Sequence, residues 1–267
     1  MVNIIPQKNI FTVRKDTLIH LLTDVFSNLL YLVRERVDVV IDLEFFSRFT
    51  AIMSFLIRSR HRIGFYGFHV EGLKRGAFID SQINFNHTLH TSRAFFTLLK
   101  PFRILQYDYN PAPIRIPPSV GFAQNLYATI RKANSLCATE VISKWIMLNP
   151  NTSDLSKLRR WPKRNFSRLA ELLLAKDKSI GIIFTGSKSE RTYVESICAS
   201  LSGAAASRVV NLAGMTSISD LIDLFHFSHL FITSDSGPAH LSSLTDIPGI
   251  VLFGPETPDL YSPIGSR

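Results

Sequence analysis

Short apolar runs recur through the second half of the chain, at 145–148, 180–185, 209–212, 230–233 and 250–253. Between them lie stretches whose apolar residues follow a helical pattern, at 166–176, 188–201, 217–227 and 237–244. Strand and helix alternating at this pitch predict βαβ units and a parallel sheet. The first half is less regular. An amphipathic core helix is predicted over 18–33, a buried strand over Val37-Asp-Val-Val-Ile-Asp42-Leu43 and a helix over 47–57. A strand begins at Arg62-Ile-Gly64-Phe65, 66–86 reads as irregular and glycine-punctuated, and 91–99 reads as helical. Four prolines between Tyr107 and Pro118 cannot form a packed element, so this stretch reads as a linker or an extended crossing segment. It divides the chain into 1–118 and 119–267, the latter opening with a helix over 119–134.

Four strand ends carry polar or turn chemistry: Asn149-Pro-Asn151-Thr152, Thr185-Gly186-Ser187, Ala213-Gly214-Met215-Thr216 and Thr233-Ser-Asp235. In a parallel sheet these loops share the carboxyl edge, which describes a ligand crevice. The most informative of them is Asp235-Ser236-Gly237-Pro238-Ala239-His240. Ser236 or Asp235 is placed to cap a helix, and Pro238 lacks an N–H that the first turn leaves unpaired anyway. Gly237 leaves room for close backbone approach, and His240 adds a donor one turn on. This pattern suits a phosphate-bearing ligand; a plain capped helix start with a buried histidine fits the same spacing.

Composition narrows the classes. Apolar residues make up 46% and charged residues 19%, the balance of a folded soluble chain. The 18–33 helix carries His20, Thr23, Asp24, Ser27 and Asn28 and is too short to span a bilayer. The amino-terminal residues lack a charged stretch before a long apolar one, so no signal peptide is expected. Cys137 and Cys198 sit apart in apolar helical contexts, as buried free thiols in a reducing cytoplasm. The net charge of +9 is densest at Arg58-Ser-Arg60-His-Arg62, Lys74-Arg75 and from Lys157 to Arg168. It favours anionic partners: phosphorylated small molecules or an anionic membrane surface. No nucleic-acid-binding signature accompanies it, and no nucleic-acid partner is expected.

Taken together, the loops resemble glycosyltransferase family 9, the heptosyltransferases of lipopolysaccharide synthesis. The matching pieces run in order: Leu148-Asn-Pro150, Arg159-Arg160-Trp161-Pro162, Thr185-Gly186-Ser187 with Glu190, and Asn211-Leu-Ala-Gly214. Ser217-Ile-Ser-Asp-Leu221, Asp235 to His240, Phe253-Gly-Pro255 and Tyr261-Ser-Pro263 follow. Earlier, Val40-Ile-Asp42-Leu-Glu44-Phe-Phe-Ser47-Arg48-Phe49 and Arg62 to Phe65 look like the family's acceptor-side domain.

The resemblance implies an α/β fold of the GT-B class, with two Rossmann-like domains facing a cleft. It implies inverting transfer of a heptose-like sugar from a nucleotide-sugar donor, ADP-linked, to a lipopolysaccharide-type, lipid-linked acceptor. No cofactor and no metal are implied, and the location would be cytoplasmic, peripheral on the inner face of the inner membrane. Ser236, Gly237 and His240 would hold the diphosphate, with Thr152 and Arg159 as further contacts; Arg159 also reads as an exposed charge in a basic loop, where Lys157 or Arg160 could take its place. Glu190 would bind the ribose, though it also reads as a helix N-terminal charge favoured by the dipole; Met215 and Thr216 would pack the base, Met215 also reading as core filler. Asp235 either binds donor-sugar hydroxyls or caps the helix, and Trp161 reads as a packing residue.

The family's opening strand and Gly-Asp loop, which supplies its base, have no matching position in residues 1–13, and the chain reads as stopping short of the family's last helices. Inverting transfer needs a carboxylate to take the acceptor proton. Asp42 and Glu44, at a strand end, are the candidates that remain, Asp42 also reading as a strand-end cap. Two functions are therefore carried forward, a working transferase and a nucleotide-sugar-binding remnant without turnover.

Overall fold

The computed structural model describes residues 5–45, 47–66, 78–105, 109, 114–135, 137, 139–152, 157–201 and 203–265. The chain divides into two compact units, Asn3–Asn110 and Pro111–Arg267.

In the first unit, α1 (Leu18–Arg34) leads to β1 (Val39–Asp42), α2 (Arg48–Leu56), β2 (His61–Phe65), β3 (Ser81–Ile83) and α3 (Thr91–Phe96). The strands form a parallel sheet in the order β1-β2-β3, with Val39 opposite His61 and Ile63 opposite Ser81. Strand β3 falls in the stretch expected to be irregular. Three residues reading Ser-Gln-Ile carry no apolar run, and only pairing with β2 makes them a strand. Residues 67–77 of that stretch, with Lys74-Arg75, lie outside the described residues. The core is aromatic: Ile63, Phe65 and Leu98 are buried against Phe45, Phe85 and Phe95, with the rings of Phe45 and Phe85 4.5 Å apart.

Helix α1 departs from expectation. It starts where expected, Thr17 accepting from the His20 N–H, but it contains no buried residue. Its polar side holds the preceding segment: Asp24 binds Arg14, and the Asn28 amide donates to the Thr12 carbonyl. Leu18, Ile19, Leu22 and Phe26 are left exposed. Amphipathicity shows that a helix has an apolar face; what that face meets depends on neighbours the pattern does not contain.

The second unit is regular. After α4 (Phe122–Ala133) come β4 (Lys144–Asn149), α5 (Lys163–Lys176), β5 (Ile180–Phe184), α6 (Arg191–Cys198) and β6 (Val209–Asn211). Then follow α7 (Ile218–Phe227), β7 (Leu230–Ser234), α8 (Gly237–Ser242), β8 (Gly249–Leu252) and α9 (Pro258–Tyr261). The five parallel strands run β6-β5-β4-β7-β8. The chain thus winds outward from β4 to β6, then returns to β7, and its order reverses between β4 and β7.

Alternate side chains along each strand enter opposite cores. Leu148, Ile182 and Phe184 pack with Phe166, Ala170, Val194 and Ile197 on one face. Met147, Ile183, Val210 and Phe231 pack with Leu126, Ile130, Ile222 and Phe225 on the other. Both faces are covered, as an all-parallel sheet requires. Of the proline-rich stretch, 106–108 and 110–113 lie outside the described residues. Its later part runs along the second unit: Ile116 donates to the Leu244 carbonyl, and Arg115 binds Asp246 at 2.8 Å.

Both cysteines are free, Cys137 buried and Cys198 half-buried. Burial pushes the Cys198 thiol up to about 12, with Glu195 adding to the effect, and raises that of Cys137. The thiolate is the reactive species, so alkylation of native Cys198 should be slower than that of an unfolded thiol by a factor on the order of a thousand. Timed iodoacetamide labelling read by peptide mass checks this; fast labelling of the native chain contradicts it. Among the described residues, no helix is long and apolar enough to cross a membrane.

Candidate functional site

A cavity of about 430 Å³ opens at the carboxyl edge of the second unit's sheet. Asn149 at the end of β4 with Asn151 and Thr152 beyond it, Thr185 to Ser187 and Glu190 after β5, and Ser236 to Pro238 after β7 line it. It therefore lies where the strand order reverses, the place where open α/β sheets bind ligands. Its volume is in the range of small-molecule sites. Thr216, Ser217, Ile218 and Leu221 at the start of α7, with Leu241 of α8, close the remaining side.

The floor is an amide network. Asn151 Nδ2 donates to Asn149 Oδ1 and to the Thr185 carbonyl, each at 2.9 Å. Both donations orient the amide and leave Asn151 Oδ1 buried without a hydrogen-bond partner, as is Thr185 Oγ1. Gly186 makes this network fit: a Cβ there would lie 2.5 Å from Asn151 Nδ2. Gly186 also accepts from the Gly214 N–H at 2.9 Å, joining the loops after β5 and β6. Gly214 has φ +73°, and a Cβ there would meet Lys188 Cα at 2.9 Å, so only glycine suits that turn.

On the wall, Glu190 Oε2 accepts from the Ser187 N–H at 2.7 Å and from its hydroxyl at 2.8 Å. This capping box places a carboxylate on the cavity and opens the turn into α6. Ser217 and Asp220 form a second box at the start of α7. Side-chain capping of α8, expected from Ser236 or Asp235, is not made. The Ser236 hydroxyl instead donates to the Ser234 carbonyl at 3.0 Å, and Asp235 is buried beside Arg159. Helix α8 thus starts without a side-chain cap, its Ala239 N–H donating to the Ser236 carbonyl at 3.0 Å.

Arg159 Nη1 lies 3.5 Å from Asp235, and Nη2 lies 3.8 Å from Glu256. Its neighbour Arg160 stacks on Tyr193, 4.4 Å from the ring centre, and donates to the Thr152 carbonyl at 3.3 Å. Burial raises the Tyr193 hydroxyl, which Arg160 partly opposes.

The structure thus brings Thr152, Glu190, Thr216, Ser236 and Gly237 around one cavity. Asp235 and Arg159 pair beside it. Met215 is half-buried, packs against the core and is not among the lining residues. His240 is exposed on α8 and is not among the lining residues. Trp161 packs edge-on against Phe166, 5.1 Å away. Asp42 and Glu44 belong to the other unit. Asp42 is buried at the end of β1, and its Oδ1 accepts from the Glu44 N–H at 3.0 Å, a strand-end cap. Glu44 is exposed.

Sequence reasoning missed Asn151 and Thr185 as site residues, although both stand in loops it marked. It also missed Ile218, Leu221 and Leu241, whose helical spacing is that of any core position. Among the described residues, no three of His, Cys, Asp or Glu converge as metal ligands.

The chain is 28% identical over 115 residues to lipooligosaccharide heptosyltransferase 2 of Haemophilus influenzae, covering 43% of this chain and 33% of that one. It is 34% identical over 112 residues to lipooligosaccharide heptosyltransferase 2 of Campylobacter jejuni, covering 42% and 34%. These matches span about a third of each curated relative. The solved ADP-heptose heptosyltransferase II of Escherichia coli superposes with a TM-score of 0.70 at 19% identity, over 92% of this chain and 72% of that one. The E. coli heptosyltransferase WaaC with ADP superposes at 0.58 and 17% identity, over 92% and 69%. The fold is therefore the α/β, parallel-sheet GT-B class of those transferases. The family model for glycosyltransferase family 9 (heptosyltransferase) matches residues 30–267, and the chain belongs to that family.

Proposed function

We propose that this chain is an inverting glycosyltransferase that moves a heptose-like sugar from an ADP-linked donor to a lipopolysaccharide-type, lipid-linked acceptor. The observation that carries the reading is the cavity at the strand-order reversal, whose wall has a carboxylate, an apolar side and a polar floor. Glu190 accepts from the ribose hydroxyls. Ile218, Leu221 and Leu241 offer an apolar face to the base, with Thr216 at its edge. Thr152 and the backbone N–H groups of Ser236 and Gly237 donate to the diphosphate, with Arg159 and His240 as further contacts in this reading. Asp235 suits sugar hydroxyls better than phosphate, since like charges repel.

In the transfer, the acceptor oxygen attacks the anomeric carbon as the bond from that carbon to the β-phosphate oxygen breaks. The electron pair leaves on the phosphate oxygen, and the acceptor proton passes to a carboxylate, Asp42 or Glu44 in this reading. Fixed donors and Arg159 stabilise the charge growing on the leaving diphosphate, which lets the chemistry proceed with no resident metal or cofactor. In this reading the chain works at the cytoplasmic face of the inner membrane, its net charge of +9 favouring anionic lipid.

Binding of ADP by isothermal titration tests the donor site. Glu190→Gln keeps the capping hydrogen bonds in kind, since glutamine also serves in a capping box. It should weaken ADP about tenfold, roughly 1.4 kcal/mol, through loss of the charged acceptor. Unchanged affinity in the folded variant, or a preference for NAD over ADP, would sink the reading. One observation favours the second reading, a nucleotide-sugar binder without turnover: Asp42 is buried and already holds the Glu44 N–H. Donor binding without transfer, measured on one preparation, would select it.

A further inference from the structure

Arg159 faces two carboxylates, Asp235 at 3.5 Å and Glu256 at 3.8 Å. Neither approach is a hydrogen bond. Asp235 Oδ2 and Arg159 Nε are both buried without a hydrogen-bond partner, and 3.8 Å is beyond hydrogen-bond reach. Asp235 is 4% exposed, whereas the Glu256 side chain is 37% exposed and has water as an alternative partner. Glu256 follows a turn that packs against this place. A Cβ on Gly254 would lie 3.1 Å from the Leu158 carbonyl and 3.4 Å from Arg159 Cα, so the turn after β8 presses directly on the Arg159 turn. One cation thus stands between two carboxylates beside a cavity whose next lining residue is Ser236.

We propose that Glu256 makes this site discriminate by charge at the β-phosphate, retaining a diphosphate diester and expelling the free nucleoside diphosphate. The inference rests on reading Arg159 as the diphosphate clamp. A nucleotide sugar carries two phosphodiester charges, about −2. When the anomeric bond breaks, the electron pair remains on the β-phosphate oxygen and the product carries nearly −3 at neutral pH, its last ionisation lying near 6. Arg159 attracts both species. Glu256, one residue past the turn and on the same cation, repels the product's extra charge more than it repels the diester. The buried Asp235 adds to that bias but cannot turn away; Glu256, at the surface, can be removed without touching the core.

The test compares ADP with ADP-glucose, a stable diester, by isothermal titration at low ionic strength. Glu256→Gln is isosteric and sits at the surface, so the variant keeps its fold. It should tighten ADP about fivefold and ADP-glucose only about twofold, since the Coulomb energy scales with the β-phosphate charge, and added salt should shrink the difference. Glu256→Asp, which keeps the charge, should stay near the starting chain. In turnover assays the same Gln variant should show stronger inhibition by ADP with little change in KM for the donor. Equal tightening of both ligands, or none of either, overturns the inference while leaving the donor site standing. A starting chain that binds neither ligand overturns the donor-site reading itself, and this inference with it.

Discussion

Phe184→Ala is expected to lower the unfolding free energy of the second unit by about 3–5 kcal/mol, the usual cost of emptying a buried phenylalanine site. Phe184 is 0% exposed and ends β5, between Leu148 of β4 and Asn211 of β6. It packs in the core formed with Phe166 of α5, Val194 of α6 and Ala213. Collapse around the cavity is limited, because neighbours on both sides are held in register by strand pairing. The effect should reach the site. Thr185, the next residue, donates to the Leu148 carbonyl at 3.0 Å and starts the loop that carries Gly186 and Ser187. Urea unfolding followed by far-UV circular dichroism checks the number, and a loss under about 1 kcal/mol would show that the site repacks. Saturating ADP should recover part of the loss; at a hundred times Kd, binding to the native state alone adds about 2.7 kcal/mol.

Gly186→Ala should have the largest effect on binding for the smallest change in composition. The new methyl would lie 2.5 Å from Asn151 Nδ2 and 3.4 Å from Ala213 Cβ. Ala213 is already at ordinary contact, so the Asn151 amide must give way. It holds two 2.9 Å hydrogen bonds on the cavity floor, each contributing about 1 kcal/mol. Overpacking and lost hydrogen bonds together should destabilise the chain by about 1–3 kcal/mol. ADP affinity should fall at least tenfold, about 1.4 kcal/mol, as the floor shifts into the ligand's place. A double-mutant cycle with Asn151→Ala separates the causes. Removing the amide should relieve most of the stability cost of Gly186→Ala, yet binding should stay weak. Additive losses would mean that the methyl acts elsewhere.

Most of the second unit was legible as pattern. Buried parallel strands are continuous apolar runs, and the helices between them repeat every three to four residues, so β4 to β8 and α5 to α8 fall within a few residues of expectation. Strand β3 was hidden because a three-residue strand with a polar majority has no pattern of its own. The solvent-facing side of α1 was hidden because amphipathicity names an apolar face without naming its partner.

For the candidate site, the chain by itself determined which loops carry polar chemistry, because glycines, prolines and short polar side chains at strand ends have local backbone reasons to be there. The motif order also placed the chain in its family. The tertiary structure alone decided how those loops combine. It brought Thr152, Glu190, Thr216, Ser236 and Gly237 to one cavity, packed the half-buried Met215 against the core, left His240 on an exposed face and set Arg159 between Asp235 and Glu256. The physical reason is distance along the chain. Asn151 and Thr185 are 34 residues apart, and the hydrogen bond that joins them follows from the parallel pairing of β4 with β5, which no local pattern encodes.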